Sequence, residues 1–255
     1  MKPARLAIGL IGAALLAACV HTTNSTKPLA NPTQAAQINL QLGYDYMQQG
    51  DLATAKQKLE RARTEDPRNA AVHSALGLLY DRLGQAEDAD KEFRASVSLT
   101  PSDPQTINQY AVYLCSHGRA PDGVRYFEQA ANNPLYRTPW VAYTNAGVCL
   151  HGARRDAEAA QLFARALQSN PAYAEAVFQA SDLDLSQHNY AEARARIELY
   201  LAHNIATPDV LLLGYRVALA QSDAVAQTIF AARLLKEYPN SEQARALTAS
   251  RNNPG

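Results

Sequence analysis

Gly50, Gly84 and Gly118 stand 34 residues apart, each at the end of an amphipathic segment, where a turn between two helices would need a glycine. A fixed period of this length means a chain assembled from stacked supersecondary units. The units can be read position by position. In residues 36–69, Leu42, Gly43, Tyr46, Ala55, Leu59, Ala62 and Pro67 recur as Leu76, Gly77, Tyr80, Ala89, Phe93, Ser96 and Pro101 in residues 70–103. Small residues such as Gly43 and Ala55 let the two helices of a unit approach, and Pro67 stops the second helix before the next unit begins. One hairpin leaves an apolar face uncovered, so several must stack, and the ends need polar caps.

These positions match the spacing of the tetratricopeptide repeat, which implies an all-α, right-handed superhelical solenoid. Residues 140–173 fit with Gly147, Ala159, Phe163, Ala166 and Pro171, and residues 104–137 with Ala111, Leu114, Gly118, Phe127 and Ala130. Residues 174–206 keep Ala180, Ala193 and Ile197 but lack the closing proline; residues 207–239 keep Leu213, Gly214, Ala226 and Phe230. Six repeats are expected over 36–239, with 240–255 as a capping helix and tail opened by Asn240-Ser241. Between the third and fourth repeats the register slips by two residues in NNPLYRTPWVAYTNAGVC. Tyr136 and Trp140 there either pack between repeats or face a partner.

The N-terminus reads differently. Lys2 and Arg5 precede the apolar run LAIGLIGAALLAA, too short to span a bilayer, and residues 1–18 read as a secretory signal. Leu16-Ala17-Ala18-Cys19 resembles the lipobox of bacterial lipoproteins, which implies cleavage before Cys19 and acylation of its thiol and new amine. Two or more acyl chains make a durable anchor. Val20 is not the aspartate that retains some such lipoproteins at the inner membrane, so an outer-membrane site facing the periplasm is expected. Residues 19–35, rich in Thr, Asn and Pro, read as a flexible tether. Without Lys2 and Arg5 the chain holds 22 basic against 24 acidic residues, which argues against nucleic acid as a partner.

Cys115 and Cys149, again 34 apart, remain. With His117 and His151 they could supply a zinc site, but residues two apart on one helix point away from each other. Two thiols in an oxidising compartment, at the ends of neighbouring first helices, favour a disulfide, worth about 3 to 4 kcal/mol by the chain-entropy model. Free buried thiols are the third option. No phosphate-cradling glycine loop, nucleophile elbow or zinc-protease His-Glu pair occurs, so neither an enzyme nor a cofactor or metal is expected. Function should lie on the concave face, lined by the first helix of each repeat. There Leu40, Tyr44, Met47, Leu78, Asp81 and Asn108 form the expected groove for an amphipathic helix or extended peptide. Gln37, Ala71 and Ser74 line the same two repeats, and Val112, Thr144, Val148, Glu175, Phe178, Asp182, Leu211 and Tyr215 continue that surface with less apolar character.

Lipobox, tether and repeats, with NQYAVYLCSHGR, NPLYRTPWVAYTNAGVC, DVLLLGYRVA and YPNSEQ, together resemble the type IV pilus biogenesis and stability lipoproteins, PilF and PilW. The resemblance implies a pilotin that binds the secretin subunit and promotes its localisation and multimerisation in the outer membrane; a monomer is expected. It also implies that the first repeat's groove, at Leu40, Tyr44 and Met47, makes the contact. The alternatives are a periplasmic scaffold lipoprotein organising cell-envelope enzymes and a carrier of lipid or glycan.

Overall fold

The computed structural model describes residues 32–252 of the chain, so Cys19 and residues 1–31 lie outside the described residues, and residues 32–35, expected in the tether, already belong to the first helix. Thirteen helices follow one another among them: α1 (Pro32–Gln48), α2 (Leu52–Glu65), α3 (Ala70–Arg82), α4 (Ala86–Leu99), α5 (Pro104–Ser116), α6 (Ala120–Ala131) and α7 (Pro139–Gly152). The remainder are α8 (Asp156–Ser169), α9 (Ala174–Ser186), α10 (Tyr190–His203), α11 (Pro208–Ala220), α12 (Ala224–Glu237) and α13 (Glu242–Asn252). None of the described helices is long and apolar enough to cross a membrane.

Each odd helix pairs with the even helix after it, and the reason is local. A Cβ added to Gly43 would lie 2.4 Å from Leu59, and one on Gly77 2.8 Å from Phe93. Gly147 meets Phe163 and Gly214 meets Phe230 in the same way. The absent side chain lets the large one seat directly on the opposing backbone. The backbones of successive odd helices come close to one another, whereas successive even helices meet only through long side chains such as Arg63 and Glu92. A stack whose members crowd on one side and part on the other is curved, so the odd helices form its inner layer.

The turns divide into two groups. Gly50, Gly84 and Gly118 adopt φ of +79°, +71° and +71°; the equivalent places in the last three hairpins hold Arg154, His188 and Ser222, also at positive φ. Each non-glycine costs about 1 kcal/mol there. Where repeat five lacks its closing proline, two tyrosines hold the chain: Tyr200 donates to the Ile205 carbonyl at 3.0 Å and Tyr238 to that of Ala206. At the far end Ser241 caps α13 by accepting from the Ala244 amide at 3.1 Å, and α13 buries Ala244 and Leu247 against the last hairpin.

A buried charge cluster joins the first two repeats. Glu92 of α4, its side chain 6% exposed, accepts from Arg63 of α2 at 2.7 Å and from His73 Nδ1 of α3 at 2.5 Å. The other ring nitrogen of His73 lies 3.0 Å from the Pro67 carbonyl, so only the doubly protonated ring can donate to both. The hydrogen bond to Glu92 holds the His73 pKa above its ordinary 6.5, against the effect of burial. Burial opposes ionisation of Glu92, but His73 and Arg63 outweigh it and hold its pKa below the ordinary 4.5.

A raised histidine pKa contributes stability that is complete below 6.5 and vanishes as pH rises through the folded value; a lowered carboxyl pKa contributes stability above 4.5 that vanishes in more acidic solution. Both terms are present together between those values. His73→Gln should therefore lower the melting temperature more near pH 6 than near pH 9. Melting curves of both proteins at the two pH values check this, and a difference independent of pH would refute it.

Candidate functional site

On the inner layer, one position per odd helix faces the concavity, immediately after the small residue that meets the partner helix. These residues are Tyr44, Leu78, Val112, Val148, Asp182 and Tyr215. Tyr44 and Leu78 are half-buried against the N-terminal core, and burial pushes the Tyr44 phenol pKa up. Val112 and Val148 are 46% and 40% exposed. The stripe is thus apolar over the first four odd helices. It ends at α9, where Asp182 accepts from Arg216 of α11 at 3.1 Å.

Between the two valines the surface opens into a cavity of about 480 Å³, walled by Cys115 and Ser116 of α5, Ala120 and Phe127 of α6, and Cys149 and Gly152 of α7. Its floor is covalent. Cys115 and Cys149 form a disulfide with an S–S distance of 2.04 Å and Cα atoms 5.6 Å apart, tying α5 to α7. No group of histidine, cysteine and carboxylate side chains that could hold a metal ion occurs among the described residues. The walls carry almost no charge, so the surface suits contact with apolar side chains rather than acid–base chemistry.

Several expected groove residues lie elsewhere. Met47 is only 4% exposed: it belongs to the core between α1 and α3, with its carbonyl accepting from Arg82 at 2.9 Å. Leu40 is half-buried against the same core. Ser74, Thr144 and Leu211 are also buried; Ser74 and Ser96 share a 2.7 Å hydrogen bond, and Thr144 donates to the Trp140 carbonyl at 2.8 Å. A helix shows a partner only a narrow stripe, and a side chain one position round from it turns into the junction between repeats. Asp81 does reach the concave rim, where His117 Nε2 is 3.2 Å away. Asn108 lies one turn before Val112, half-buried, and its Oδ1 has no hydrogen-bond partner. Tyr136 is buried in the central core and Trp140 is half-buried.

Gly123 was not singled out by the sequence pattern. It stands where the other repeats carry Ala55, Ala89, Ala159, Ala193 and Ala226. A Cβ there would lie 2.3 Å from Cys115 Sγ and 2.9 Å from the Ala111 carbonyl oxygen. The one glycine in an alanine column was the available signal. The disulfide occupies the volume that a methyl fills in the other repeats, and Gly123→Ala should destabilise the protein by about 1 to 3 kcal/mol. Denaturant unfolding of oxidised and reduced protein checks this: the penalty should shrink once the disulfide is reduced and Cys115 can move away.

A solenoid of helical hairpins with its apolar stripe on the inner helices defines a tetratricopeptide-repeat protein, and the Tetratricopeptide repeat family matches residues 46–106. Over 239 residues the chain is 26% identical to the type IV pilus assembly protein PilF of Pseudomonas aeruginosa, covering 92% of each sequence. It is 30% identical over 141 residues to an uncharacterised protein of Haemophilus influenzae, covering 55% of this chain and 77% of that one. The crystal structure of PilW, a widely conserved type IV pilus biogenesis factor, superposes with a TM-score of 0.66 at 26% identity, over 84% of this chain and 99% of that one. The chain is homologous to PilF and shares the tetratricopeptide-repeat fold of PilF and PilW.

Proposed function

We propose that this protein acts in type IV pilus biogenesis as an outer-membrane pilotin. In this reading Cys19 carries the acyl anchor, the residues between it and α1 link membrane to solenoid, and the concave face holds a segment of the secretin subunit until it multimerises in the outer membrane. The observation that carries the binding step is the exposed pair Val112 and Val148 over an uncharged cavity, on a chain homologous to PilF. Exposed apolar surface of this kind, recessed in a curved layer, is stabilised by covering it with the apolar side chains of another protein. Homology supports the pilus context, and the lipobox supports the anchor.

The test is to follow the secretin by membrane fractionation and multimer gel in three strains. Cys19→Ala should move secretin multimers out of the outer-membrane fraction. Val112→Glu with Val148→Glu should leave the lipoprotein anchored and folded while reducing secretin multimers by about tenfold or more, since two carboxylates would have to be buried or the contact given up. Undiminished outer-membrane multimers in both strains would overturn the pilotin reading. Capture of cell-envelope enzymes by the wild-type chain in place of the secretin would favour a scaffold instead.

A further inference from the structure

The cavity beside the disulfide has a filled counterpart one repeat earlier. Moving its walls back by 34 residues on α5 and α6, and by 36 on α7 to allow for the register slip, turns Cys115 into Asp81, Ala120 into Ala86 and Phe127 into Phe93. The same shift turns Cys149 into Tyr113 and Ala153 into His117. At that earlier junction two rings fill the space. Tyr113 is buried with its ring centroid 5.0 Å from that of Phe93, and its hydroxyl donates to the Ala86 carbonyl at 2.7 Å. The His117 ring lies 4.3 Å from Tyr113 and reaches Asp81.

At the later junction Cys149 and Ala153 stand where those rings would be, and Cys149 is drawn against Cys115. The cavity lies where the two rings stand one repeat earlier, and Ala120 and Phe127 keep that part of the wall. Phe127 still offers its ring. The Ala120 carbonyl, which begins α6 as Ala86 begins α4, has Cys149 Sγ 3.9 Å away, but a disulfide sulfur carries no hydrogen to donate, so the oxygen keeps a lone pair beyond the one its helix uses. Leucine could fill such a space but would leave that acceptor unmet, and a charged side chain would be buried among apolar walls with no counter-ion.

We propose that the cavity is a socket for a tyrosine side chain of the bound protein segment, its ring against Phe127 and its hydroxyl donating to the Ala120 carbonyl. This rests on the concave face being the partner site. A buried phenol with its hydroxyl paired is the arrangement that the chain already uses one repeat earlier, between Tyr113 and Ala86.

The test uses the full-length protein in detergent with p-cresol and toluene as probes of the tyrosine and phenylalanine side chains. p-Cresol should bind saturably, about fivefold more tightly than toluene, the worth of one hydrogen bond. Gly152→Phe, at a position where an added Cβ meets nothing within 4 Å, and Ala153→Phe should each weaken p-cresol by about tenfold or more with unchanged circular dichroism. In the wild-type chain, which needs no variant to fold, p-cresol should shift the methyl resonances of Val112 and Val148 and leave those of the distant, buried Val210 in place. Equal binding of toluene, undisturbed valine methyls, or full binding by the folded variants would each overturn the socket. The secretin takes no part in these measurements, so the socket can fail while the pilotin reading stands, and the reverse.

Discussion

A large side chain seated on the bare backbone of a glycine is the contact on which this solenoid depends. Leu59 on Gly43, Phe93 on Gly77, Phe163 on Gly147 and Phe230 on Gly214 set how closely the two helices of a hairpin lie. That separation fixes which side chains of the first helix turn inward to the next repeat and which remain on the concave stripe. Ala111 with Phe127 and Ser181 with Ile197 hold the corresponding places in the other two hairpins, where a small side chain stands for glycine. The rest of the molecule is a repetition of this contact with local departures, and the departures are where its particular chemistry sits.

The largest departure lies at the junction of repeats three and four. Two residues inserted before α7 shift its register, the disulfide draws α5 and α7 together, and Gly123 replaces the usual alanine to make room for a sulfur. Neither inward ring of the preceding junction is present, so the cavity opens beside the only two strongly exposed apolar residues of the stripe. Covalent and non-covalent terms have different tasks here. Packing alone would tend to close a void of this size, because its lining loses dispersion contacts, whereas a cross-link holds the two helices at a set distance whatever occupies the space.

Much of this was legible beforehand because a repeat announces itself many times. Six hairpins, the slip between the third and fourth, the small residues facing large ones, and the Asn240-Ser241 start of the last helix all follow from periodicity and helix-stop signals. The groove is less legible in the sequence, for a geometric reason. Positions on a helix are about 100° apart, so Met47, three residues on from Tyr44, is turned away from it and lies 4% exposed in the interior. The left-handed turns at Arg154, His188 and Ser222 gave no signal either, since nothing in those side chains favours positive φ.

Sequence by itself determined the architecture, because each 34-residue unit carries its own helix stops, its own small and large contact residues and one apolar face that only a neighbour can cover. It also determined which residues could form the stripe. Tertiary structure alone decided which of them are exposed, that an opening lies over the third and fourth repeats, and that the stripe ends in the Asp182 and Arg216 pair. Exposure depends on what the neighbouring repeat brings to the same spot. A residue such as Ala153 makes a cavity only because His117 fills its counterpart, and that comparison exists only once the helices are stacked.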